Sequence, residues 1–179
     1  MKIKTSITCL AASILFSGFA IGGTPVNYGS SAPASTLFGT ETTVSGYTMY
    51  LKPDSALADK TWGGGLAVEH FFGPYVGLAG SAAWADPGPG DLWHNYVGDL
   101  IVRLPIETLQ IAPYALAGIG TIYEDDFNLL GRTGAGIDLR FSASFGIFSD
   151  WIYYIPNGGA GSEDGENYST VRIGAKIAF

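Results

Sequence analysis

The chain has 179 residues, 47% hydrophobic and 13% aromatic, with nine basic residues against sixteen acidic ones. That length suits one principal domain, and so acidic a balance excludes a nucleic-acid-binding protein. A single cysteine, Cys9, excludes an internal disulfide framework.

The N-terminus reads as a secretory signal peptide over 1–20. Lys2 and Lys4 precede an apolar run from Ile7 to Ile21, and small residues at Gly18 and Ala20 suit cleavage after Ala20. The run is too short for a spanning helix. Cleavage there removes Cys9 and leaves 159 residues, seven basic and sixteen acidic, a formal charge of −9. Residues 21–40, rich in Gly, Ser, Thr and Pro, read as a flexible leader, and 41–179 as the folded domain.

Eight strand-like segments follow, at 42–52, 62–72, 75–85, 92–104, 111–122, 129–141, 145–155 and 168–179. In 96–104, Gly98, Leu100, Val102 and Leu104 alternate with Val97, Asp99, Ile101 and Arg103. In 135–141, Ala135, Ile137, Leu139 and Phe141 alternate with Gly136, Asp138 and Arg140. In 145–153, Phe145, Ile147, Trp151 and Tyr153 lie opposite Gly146, Phe148 and Asp150. A period of two with unlike faces is that of a strand.

The connections carry a second signal. Those at 53–61, 86–91, 123–128 and 156–167 contain ten of the sixteen acids, whereas 73–74, 105–110 and 142–144 contain only Glu107. In an up-and-down sheet the four acidic connections share one end. Trp62, Trp84, Trp93 and Trp151 fall towards that end and are expected as an interfacial girdle. Phe71, Phe72, Tyr75, Phe141, Phe145 and Phe179 are expected at the other. Short turns at one end, longer loops at the other and two aromatic belts fit a transmembrane barrel. Lipid tolerates neither an open sheet edge nor an outward arginine, so the sheet is expected to close and its charged face to line the lumen.

The last segment shows why a basic residue sits in an apolar strand. Val171, Ile173, Ala175, Ile177 and Phe179 are expected to face lipid, and Arg172 and Lys176 the interior. Arg172, Gly174, Ile177 and the terminal Phe179 together are similar to the C-terminal β-signal of bacterial outer-membrane barrels. The whole mature chain resembles the small OmpA/OmpX-type eight-stranded barrels. The resemblance implies an all-β, eight-stranded antiparallel up-and-down transmembrane β-barrel in the outer membrane of a Gram-negative cell envelope, reached by signal-directed export. It implies outer-membrane lipids and lipopolysaccharide as surroundings, and the barrel assembly machinery as reader of residues 172–179.

A barrel of eight strands has a lumen just wide enough for side chains to fill. Glu69, Asp99, Asp138 and Asp150 are expected to meet Arg103, Arg132, Arg140, Arg172 and Lys176 in a polar lumen, with Asp150 pairing Arg172 or Lys176. No cofactor or metal motif is found: Trp62-Gly-Gly-Gly65 and Gly131–Gly136 lack the ending and setting of a phosphate loop. The acidic loops offer oxygen ligands to divalent cations, with solvated loop faces as the simpler account. The expected role is structural or surface-interacting, as a monomer and not an enzyme. Two alternatives compete. One is a lipid-modifying enzyme with His94 as base and Asp91 or Asp99 as its orienter, although Asn95 and Tyr96 supply no nucleophile. The other is a narrow porin-like channel.

Overall fold

A computed structural model describes residues 37–54, 60–85, 93–123, 127–156 and 167–179. The expected signal peptide, the leader as far as residue 36 and most of the acidic connections lie outside the described residues. The strands are β1 (Glu41–Pro53), β2 (Thr61–Phe71), β3 (Val76–Ala85), β4 (Trp93–Arg103), β5 (Ile111–Tyr123), β6 (Phe127–Arg140), β7 (Phe145–Pro156) and β8 (Tyr168–Ala178). Their ends fall within two residues of the expected positions. Each pairs antiparallel with the next, and β8 returns to β1, so the sheet is a closed up-and-down barrel.

Alternation in sequence becomes alternation across the wall. β1 buries Thr43, Ser45, Tyr47, Met49 and Leu51 and exposes Val44, Gly46 and Thr48. β8 buries Thr170, Arg172 and Lys176 and exposes Val171, Ile173 and Ile177. The exposed face is an apolar band, which lipid requires of a spanning wall. Register partners followed once round run Leu51, Thr170, Ile152, Gly134, Leu116, Ile101, Gly77, Phe71, Glu41. The path returns to β1 ten residues from its start. With spacings of about 3.3 Å along a strand and about 4.8 Å across, that stagger tilts eight strands by about 40°.

The inner face departs from expectation in three ways. First, the lumen is not uniformly polar. Met49, Leu51, Val97, Ile122, Leu130 and Ile152 are buried in it beside the charges. Removed from solvent, these apolar side chains are stabilised there as in a soluble core. Second, two aromatics point inward. Trp93 shares the face of Asn95, Val97 and Asp99 and packs its ring 5.9 Å from that of Tyr168, so it caps the lumen and takes no place in the girdle. Phe71 ends the inner face of β2 and is only 2% exposed. Trp62, Trp84 and Trp151 are exposed on the outer face near the acidic end, and Phe72, Tyr75, Phe141, Phe145 and Phe179 are exposed near the other. Third, residues 37–40, expected as the end of the leader, lie against the barrel. Phe38 is 1% exposed, tucked under the short-turn mouth of the barrel.

Candidate functional site

Among the described residues, ten charged side chains project into the lumen and order themselves in three tiers. The lowest lies at the short-turn end. Glu41 Oε1 accepts from Arg103 Nη1 at 2.6 Å and from Arg140 Nη2 at 3.0 Å. Arg140 Nε donates to Asp138 Oδ1 at 3.3 Å. Lys176 Nζ lies 3.1 Å from Asp138 Oδ2 and 3.0 Å from Glu69 Oε2, and Thr43 Oγ1 donates to the same Glu69 oxygen at 3.2 Å. Six charges thus form one chain of alternating sign.

In the middle tier Arg172 grips Asp150 with two parallel bonds, Nε to Oδ1 at 2.8 Å and Nη2 to Oδ2 at 2.7 Å. The two residues are direct register partners on β7 and β8. Of the two expected partners, Asp150 therefore takes Arg172, and Lys176 turns to Glu69 and Asp138. Tyr114 Oη donates to Asp150 Oδ2 at 2.6 Å. Gly136 makes room for this contact: a Cβ there would sit 2.7 Å from the Tyr114 ring. In the upper tier Arg132 Nε and Nη2 bind the two oxygens of Asp99, the first at 2.8 Å. Its remaining donors reach Ser81 Oγ at 2.8 Å and Tyr154 Oη at 3.0 Å.

Every lumen cation also lies on an aromatic ring. Arg103 lies 3.5 Å from the Phe71 centroid, Arg172 4.7 Å from Tyr47, Lys176 4.9 Å from Phe148, Arg132 5.5 Å from Tyr154 and Arg140 5.5 Å from Phe38. A desolvated cation gains from the negative face of a ring.

The nine expected lumen charges all face inward, and the structure adds a tenth, Glu41. With it the described residues of the lumen include five acids and five bases. The signal for Glu41 was its place two residues before Thr43 on the buried parity of β1. Tyr114, Ser81 and Tyr154 were also missed, because an uncharged side chain on an alternating strand does not announce its partner.

His94 lies on the other parity of β4, opposite Trp84 and Tyr123. Asp99 faces inward and both its oxygens are held by Arg132, so Asp99 does not orient His94. Asp91 lies outside the described residues, as do the other acids of the four acidic connections except Asp54. A hollow of about 720 Å³ indents the outer wall among Leu78, Gly98, Leu100, Ala117, Ile119 and Gly131, on the lipid face.

No protein-family model matches the chain, and no curated protein sequence matches it. Solved structures do match. Neisserial surface protein A superposes with a TM-score of 0.66 at 12% identity, covering 77% of this chain and 97% of that one. The fold is that of the small OmpA/OmpX-type outer-membrane barrels. The N-terminal barrel of Pseudomonas aeruginosa OprF matches with a TM-score of 0.52 at 17% identity over 76% of this chain and 97% of its own. Ail of Yersinia pestis matches with a TM-score of 0.52 at 19% identity over 79% and 99%. At these identities the likeness is one of fold. The C-terminal residues have their own places in it. Arg172 is in the middle tier, and Gly174 faces inward where a Cβ would lie 2.6 Å from the Phe148 ring. Ile177 faces lipid, and Phe179 N–H donates to Thr42 O at 2.9 Å.

Proposed function

We propose that the chain is an outer-membrane protein with a closed lumen, which stabilises the envelope and presents its acidic connections outside the cell. One observation carries the reading: three tiers of ion pairs, each backed by aromatic rings, fill the lumen from Phe38 to Trp93. A solute crossing it would have to part buried pairs, which are strongly unfavourable to break singly. On this reading the acidic end faces outward and the short turns face the periplasm, as in outer-membrane barrels generally. The surroundings are outer-membrane lipid and lipopolysaccharide. Divalent cations bridging the acidic connections to anionic headgroups are the partners their charge favours. The connections also argue against one partner class: Ail has been crystallised with sucrose octasulfate, a heparin analogue, whereas ten acids here repel a polyanion.

The test is reconstitution of purified protein into planar bilayers, with lipid analysis of the same sample. The expected result is no stable conductance step and no change in added lipopolysaccharide. Reproducible channels would overturn the closed lumen. Loss of an acyl chain, abolished by His94→Ala, would establish an enzyme instead.

A further inference from the structure

We propose that residues 37–40 are a strap that closes the short-turn mouth of the lumen and opens as a unit while the barrel stays folded. The strap crosses the mouth from the start of β1 to the turn between β4 and β5, where Leu37 N–H donates to Glu107 Oε2 at 3.1 Å. Gly39 O accepts from Arg103 Nη2 at 3.0 Å. Between these ties the Phe38 ring lies 5.3 Å from the guanidinium carbon of Arg103 and 5.5 Å from that of Arg140. It covers the lowest tier, where Arg140 Nη1 has no hydrogen-bond partner among the described residues and meets an aromatic ring instead.

The attachment differs in kind from that of the wall. Residues 37–40 belong to no strand, so no ladder of backbone bonds holds them. Among the described residues, one buried ring and two hydrogen bonds do. A segment with so few ties opens locally at a lower free energy than the whole domain. The middle and upper tiers contain no strap residue, and Asp150–Arg172 and Asp99–Arg132 close the lumen above. Opening therefore yields a blind vestibule lined by Glu41, Arg103 and Arg140, not a channel.

The experiment is hydrogen exchange of the arginine Nε–H groups, followed by NMR on the isotope-labelled mature chain in micelles. In the wild type, Arg103 and Arg140 should exchange by an opening that depends only weakly on urea, while Arg132 and Arg172 follow global unfolding. In Phe38→Ala, Arg103 and Arg140 should exchange about tenfold faster or more with Arg132 and Arg172 unchanged, and Phe38→Leu should fall between. Equal acceleration of all four, or none, would overturn the strap. Should Phe38→Ala fail to fold, the wild type decides alone: a urea dependence at Arg103 equal to that at Arg172 would sink the proposal.

Discussion

Asp150 is the residue on which the middle of the lumen turns. It takes two bonds from Arg172 and one from Tyr114 while buried. Asp150→Asn leaves the guanidinium buried without a counter-charge, which costs about 3–5 kcal/mol. Tyr114→Phe removes one neutral donor and should cost about 1 kcal/mol. Urea titration followed by heat-modifiable migration on gels measures both. Equal losses would mean the pair is hydrated and the charge immaterial. The inward position of Asp150 was legible, since a strand of period two puts every second residue inside. Its choice of Arg172 over Lys176 was not. That choice depends on register, which a single strand does not contain and the β7–β8 ladder does.

At the scale of an element, β8 does two jobs that sequence alone merges. Its last residues resemble a sorting signal, and they also close the barrel, because Phe179 exchanges backbone bonds with Thr42 at 2.9 and 3.3 Å. A substitution separates the two. Phe179→Ala keeps the backbone bonds and removes only the ring, which is exposed. Deleting Phe179 removes both. If the assembly machinery reads the ring, both variants should show slowed insertion in a pulse-chase of outer-membrane accumulation. If closure is what matters, only the deletion should. Gly174 is a poor probe for the same question, since any side chain there strikes Phe148 and Tyr47 and impairs packing whatever the machinery reads. Elements were legible to within two residues because each strand is framed by turn residues and carries its own alternation. The strap was not, because Leu37–Thr40 has a leader's composition and its one informative residue, Phe38, gains meaning only beneath Arg103 and Arg140.

For the whole molecule, closure followed from physics that sequence does carry: a charged face and an apolar face on every second residue, in a wall with no tolerable edge. The stagger of ten residues did not follow, nor did the apolar share of the lumen. Both depend on how eight strands tilt together, and the tilt fixes how much room the interior leaves. That narrowness is why the bilayer assay is expected to be electrically silent. It is also why the inward aromatics, Trp93 and Phe71, could not be told from girdle residues by position along the chain.

The placement of the cations has a consequence for proteolysis. All four arginines of the chain lie inside the wall, and so does Lys176. In 37–179 only Lys52 and Lys60 remain outside, and Lys52 is followed by Pro53, a bond trypsin cleaves poorly. Folded barrel should therefore be nicked by trypsin after Lys60 alone within 37–179, leaving two fragments that stay together until boiled. Unfolded chain should be cut at every arginine. Digestion followed by mass spectrometry thus reports folding without a ligand or an activity. Early cleavage after Arg132 in protein that still migrates as folded would show that the wall is not shut.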